Sequence, residues 1–164
     1  MIIGENKNIT SDQIYMRFWV DFHKVSPYVC PIRDTPHYSF AREVLLKAFS
    51  GEFSPVPENS FYDKYCQWEA FCIDGNLGHS PKSFYHHIVD WTKKFDLQSN
   101  LPKVLVFEPD KYVVYDGVHR IAFISVLIDL GRCEDRIPVQ LVDCDRPTVP
   151  IEGIANLGDW LNFS

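Results

Sequence analysis

The chain has no apolar stretch approaching the roughly 20 residues that a membrane-spanning helix requires. Its best candidate, residues 121–130, is about half that length and includes Asp129, so no membrane partner is expected. It also lacks an excess of positive charge, with 16 Lys and Arg against 22 Asp and Glu and a net charge of −6. That balance makes a nucleic-acid partner unlikely as an expectation, while leaving room for a small local basic site. No Cys-x-x-Cys pair occurs among Cys30, Cys66, Cys72, Cys133 and Cys144, which excludes a zinc knuckle or a thioredoxin-like site. The opening residues, Met1-Ile2-Ile3-Gly4-Glu5-Asn6-Lys7, lack the charged, apolar and small-residue zones of a secretory signal. The expectation is a cytoplasmic protein with reduced, mostly buried thiols. Repeats and low-complexity segments are also missing.

Apolar residues make up 46% of the chain and aromatics 15%, which excludes disorder. A length of 164 residues suits a single domain with a real core. Ser11 with Ile14, Phe18 and Phe22 predicts a first helix ending before Pro27. Three prolines between residues 26 and 38 predict an extended loop. Helices are predicted at 39–49, from Ser60 (a capping-box pattern with Asp63), and from Ser80-Pro81, where Phe84, Ile88, Trp91 and Phe95 recur at helical spacing. Residues 104–107 and 111–115 read as strands around a type I turn at Pro109-Asp110, and 137–142 as a third strand. Between them lies a helix over 118–130, stopped by Gly131. The fold class is α+β, with a helical N-terminal part (1–80), a helix–hairpin–helix–strand core (81–145) and a C-terminal tail (146–164).

Asp116-Gly117-Val118-His119-Arg120 stands where the second strand gives way to that helix. The first N–H groups of a helix have no intrahelical acceptor and sit at the positive end of its dipole, which suits a phosphate. Gly117 lets the backbone approach closely. The N–H groups of Val118, His119 and Arg120 would point at the phosphate, and the Arg120 guanidinium can grip two of its oxygens. His119 can add a hydrogen bond. Asp116 is the N-cap of the helix, a group that holds Mg²⁺ or takes a proton from an acceptor hydroxyl, or both.

Residues 83–142, with the string Asp116-Gly117-Val118-His119-Arg120-Ile121-Ala122, resemble the core of the ParB/sulfiredoxin-like superfamily. Its members carry an Asp-Gly-x-His-Arg or Gly-Cys-His-Arg motif at this strand-to-helix turn and hold nucleotide phosphates there. Sulfiredoxins need a cysteine where Val118 stands, so sulfinic-acid reduction is not expected. ParB proteins of chromosome partitioning carry a Gly-Glu-Arg-Arg-type motif and a following helix-turn-helix domain, for which too few residues follow Val142. The free-serine kinases of the superfamily carry Asp-Gly-His-His-Arg, matched at Asp116, Gly117, His119 and Arg120 but not at Val118. Stand-alone proteins with similar motifs occur among bacterial surface-polysaccharide genes. The resemblance thus implies ATP or another nucleotide, Mg²⁺, and a small hydroxyl-bearing acceptor such as an amino acid or a sugar derivative.

Other candidates lie upstream. Arg33-Asp34-Thr35-Pro36-His37-Tyr38 reads either as a substrate-binding lid, with Arg33 and His37 as its contacts, or as a solvated loop. Among Glu43, Glu58 and Glu69, Glu69 beside Trp68 is the preferred general base. His86 and His87, about 100° apart on a helix, cannot form an i,i+4 metal pair. The expected function is a nucleotide-dependent phosphotransferase acting on a small hydroxyl-bearing metabolite. A ParB-like nuclease or phosphodiesterase, and a non-catalytic nucleotide- or phosphosugar-binding protein, are the alternatives. The sequence does not fix the oligomeric state.

Overall fold

A computed structural model describes residues 2–18, 27–52, 60–72, 80–143 and 148–150, with the side chains at 2, 3, 69–72, 149 and 150 outside the description. Alternating burial at Ile14, Met16 and Phe18 marks a strand, and Val104, Val113 and Val139 are likewise sealed in a sheet. The strands are β1 (Ile2–Ile9), β2 (Ile14–Phe18), β3 (Tyr28–Pro31), β4 (Lys103–Glu108), β5 (Lys111–Asp116), β6 (Ile137–Asp143) and the short β7 (Val149–Pro150). The helices are α1 (Pro36–Phe49), α2 (Phe61–Cys72), α3 (Pro81–Lys93) and α4 (Val118–Asp129). The described strands form one mixed sheet in the order β1-β6-β4-β5-β2-β3-β7. The class is α+β.

The helix expected from Ser11 to before Pro27 is replaced over its described part by a 3-10 turn (Ser11–Gln13) and then β2. Ile14 and Phe18 satisfy helical spacing, but with Met16 they also satisfy a period of two. Parallel pairing of Ile14, Tyr15 and Met16 with Tyr112, Val113 and Val114 decides for the strand. The N-terminal half is therefore a mixture of strands and helices rather than the helical part expected. It gives β1, β2 and β3 to the same sheet as the C-terminal half.

The loop expected over 26–38 is also corrected where it is described. Tyr28–Pro31 is strand, Ile32–Asp34 a 3-10 turn, and α1 begins at Pro36 with the Thr35 hydroxyl accepting the Tyr38 N–H at 3.1 Å. Proline at the first helical position starts a helix as readily as it ends one.

The later elements lie close to their predicted bounds. Ser60 Oγ accepts from Asp63 N–H at 3.0 Å, and Ser80 Oγ accepts from Ser83 N–H at 3.1 Å. Asp110 takes φ +59°, which suits a type II turn rather than the expected type I. Helix α4 ends as predicted at Gly131 (φ +73°). Gly131 N–H bonds Ile128 O and Arg132 N–H bonds Leu127 O, a Schellman closure.

The helical side of the sheet carries most of the core. Phe18, Phe40, Leu45, Tyr62, Phe84, Ile88 and Phe123 form one cluster, and Ile9, Ile14, Val104, Val114, Ile121, Ile137 and Val139 form another. Val29, Leu105, Val113 and Val142 gather separately, with Tyr15 and Phe107 edge-to-face at 5.1 Å beside them. The expected turn at 74–78 and the tail beyond 150 lie outside the described residues, as does the Pro55–Pro57 loop. Cys30 and Cys66 are buried and Cys133 is exposed. Burial, with a smaller contribution from Asp34, pushes the Cys30 thiol up to about 12, so it stays protonated and inert.

Candidate functional site at the start of helix α4

The sequence forces a sharp turn where β5 meets α4. Gly117 adopts φ +106°, open only to a residue without a Cβ, and it is the N-cap of α4. Asp116 is therefore not the cap. It ends β5, with its side chain 57% exposed and Oδ2 3.9 Å from Lys103 Nζ. Ile121 N–H makes the first intrahelical bond, to Gly117 O at 3.0 Å. The N–H groups of Val118, His119 and Arg120 stand ahead of that ladder, and no side chain caps the helix. Its first turn carries no acid, although anionic residues are what a helix N-terminus favours.

Arg120 folds back over the turn. Its Nη1 donates to the Asn100 carbonyl, and a Cβ built on Gly117 would lie 2.8 Å from Nη2 and 3.1 Å from the Pro102 Cβ. Gly117 is thus required by its backbone angle, and the guanidinium packed over it would have to shift to admit a Cβ. Four of the five guanidinium N–H donors remain beyond the Asn100 bond. The turn, Arg120 and Lys103 gather in one place around an exposed carboxylate.

His119 points the other way. Its ring lies edge-on to Phe84 at 4.7 Å and to His37 at 4.8 Å, and Nε2 shares a 2.8 Å hydrogen bond with the Tyr62 hydroxyl. The backbone N–H of His119 belongs to the turn; its imidazole belongs to an aromatic cage. His37, only 2% exposed, is part of that cage, so it is neither a lid contact nor a solvated residue. Arg33 is absent from the site. It bonds Asp129 at 2.9 Å through Nε and Nη2, and also Asp12 and Ser11, near the far end of α4. Twelve helical residues place that end roughly 18 Å away. Glu69 falls on α2, but its side chain lies outside the described residues. Asn100 and Lys103 join the site, and Tyr62 the cage behind it, without having been singled out. None belongs to a motif, and Tyr62 reads simply as one more aromatic on α2.

No family model, no curated protein and no solved structure matches this chain. A compact set of backbone donors, a guanidinium and an ammonium suits a phosphate group. One exposed carboxylate beside them fits the usual demand of Mg²⁺, which takes one or two protein carboxylates and completes its shell with phosphate oxygens and water. Among the described residues no cluster of three His, Cys, Asp or Glu side chains forms a metal cage.

Proposed function

We propose that the protein is a nucleotide-dependent phosphotransferase acting on a small hydroxyl-bearing metabolite, with the nucleotide phosphates held at the start of α4. The observation that carries the reading is the uncapped turn at Gly117, with Arg120 folded over it and no acid in the first helical turn. The turn amides and Arg120 bind and orient the phosphate chain, and Lys103 adds charge at its rim. In the transfer, the bond from the γ-phosphorus to the bridging oxygen of the β-phosphate breaks. A bond from the acceptor oxygen to that phosphorus forms, and ADP leaves. Asp116, exposed at the edge, takes the hydroxyl proton or holds Mg²⁺. Bound Mg²⁺ would offset charge on the phosphate oxygens.

In isothermal calorimetry with ADP and Mg²⁺, Arg120→Ala should weaken binding by about 1–3 kcal/mol. Unchanged affinity in a folded variant would refute the reading. The engagement of His119 Nε2 by Tyr62 and of Asp116 by Lys103 favours a second reading, in which the same turn binds a nucleotide or phosphosugar without turnover. Phosphorus NMR with ATP, Mg²⁺ and pooled sugars, sugar acids and amino acids separates the two. A new phosphomonoester signal supports transfer, and ATP left intact supports binding alone.

A further inference from the structure

A cavity of about 440 Å³ lies at the β1–β6 edge of the sheet, walled by Asn6, Asn8, Pro138, Arg136 and the loop residues Gln98 and Leu101. This falls within the range of small-molecule sites. In a chain of net charge −6, the described residues of its lining include no carboxylate and two cations, Lys7 and Arg136. Of these, Lys7 Nζ already donates to the Tyr112 hydroxyl at 2.8 Å. Arg136 is the cation left to meet a ligand there. With the Asn8 amide turned so that its oxygen accepts, that oxygen lies 3.0 Å from Arg136 Nη2 and 3.3 Å from Nε, which fixes the guanidinium at the wall.

The sheet register connects this cavity to the Gly117 turn. Asn6 pairs with Gln140, Gln140 with Lys103, and Lys103 with Asp116. The four residues form a polar row across β1, β6, β4 and β5. At the usual strand spacing the row runs roughly 14 Å from Asn6 to Asp116. The loop above it is shared as well, since Gln98 and Leu101 wall the cavity while the Asn100 carbonyl accepts from Arg120.

We infer that this cavity binds a small polyhydroxylated carboxylate of the sugar-acid class. Arg136 takes the carboxylate, and the Asn6, Asn8 and Gln98 amides take hydroxyls. The molecule extends along the row toward Lys103 and Asp116. That it serves as the acceptor site of the phosphotransferase rests on the function proposed above; the binding site itself does not. A carboxylate matches a guanidinium two bonds to two, and amides donate to and accept from hydroxyls.

Gluconate and glucose, similar in size and differing in the carboxylate, serve as probes at millimolar concentration. Side-chain amide signals of Asn6, Asn8 and Gln98 are followed by ¹⁵N NMR. Gluconate should shift these signals and bind about tenfold or more tightly than glucose. Arg136→Ala should remove that preference while leaving ADP affinity unchanged, and Arg120→Ala should do the reverse. Asn6→Ala, at an exposed edge-strand position, provides a second variant and should also weaken gluconate. Absent shifts with gluconate, equal binding of the two probes, or gluconate affinity indifferent to Arg136 in a folded variant would each overturn the inference. Gluconate binding that depends on Arg136 in a protein that takes no ADP would sustain the cavity and overturn the phosphotransferase.

Discussion

Helix α4 carries an acid at its C-terminal end and a base at its N-terminal end, the reverse of what its dipole favours at either place. At the C-terminal end the conflict is resolved within the chain. Asp129 accepts from Arg33 and from the Tyr38 hydroxyl, Arg33 also reaches Asp12 and Ser11, and Gly131 closes the backbone. At the N-terminal end nothing comparable is built among the described residues. Gly117 supplies no side chain, Asp116 turns toward Lys103, and the cation of Arg120 is met by one carbonyl. On the function proposed above, the difference separates charge used for stability from charge kept for a ligand. An end whose mismatched charge is neutralised internally is structural; an end left electropositive invites an external anion.

Removing the internal repair should have the largest effect. Arg33→Ala strips Asp129 of its main partner and should cost about 2 kcal/mol in urea unfolding at neutral pH. The cost should depend on pH in a set direction. Burial raises the Asp129 carboxyl, but the hydrogen bonds from Arg33 and Tyr38 and the charges of Arg33 and Arg42 outweigh it and hold the group below the usual carboxylate range. A depressed carboxylate contributes its full stability above its unfolded value, near ~3.9, and loses it as pH falls through the depressed folded value. The gap between wild type and Arg33→Ala should therefore be widest near neutrality and narrow in acid. A gap independent of pH would mean that the ion pair does not set the cost.

Gly117→Ala is next, at about 1–2 kcal/mol, because a Cβ is strained at φ +106° and would press on Arg120 and Pro102. Unlike Arg33→Ala, it should also weaken ADP binding in calorimetry, since the cradle itself deforms. Tyr62→Phe should cost about 1 kcal/mol by removing the hydrogen bond to His119 inside the aromatic cage, read as a lower melting temperature. The smallest effect on stability belongs to Arg120→Ala, below ~0.5 kcal/mol in the same unfolding assay. That small cost beside a large loss of nucleotide affinity is the sharpest form of the contrast between the two ends. A large stability cost at Arg120 would make both ends structural.

Much of the second half was legible in the sequence because its signals are local. Ser80-Pro81 before an apolar 3.6-residue period, β-branched runs around Pro109-Asp110, and Gly131 after an apolar helix each act within one element. The errors cluster where a pattern fits two periods or where proline can start as well as stop. Ile14, Tyr15 and Met16 became strand by pairing with residues nearly a hundred positions away, and Pro36 opened a helix where a loop was expected. In the candidate site, the roles of Gly117 and of the turn amides follow from a strand–glycine–helix string. The inward turn of the His119 ring, the loss of Arg33 to Asp129, and the arrival of Lys103 and Tyr62 do not, because each depends on packing between elements distant in sequence.

By itself the sequence determined the α+β class, the order of elements from α3 onward, and a helix start whose glycine and flanking basic residues suit an anion. Those properties arise from residue spacing and from the backbone angles each residue tolerates. Only the tertiary structure decided that β1 and β2 flank the later strands, that one end of α4 is neutralised and the other left open, and that a polar row joins the turn to the cavity at the β1–β6 edge. Strand pairing and charge compensation are set by which surfaces meet across the fold, and local spacing carries no record of that meeting.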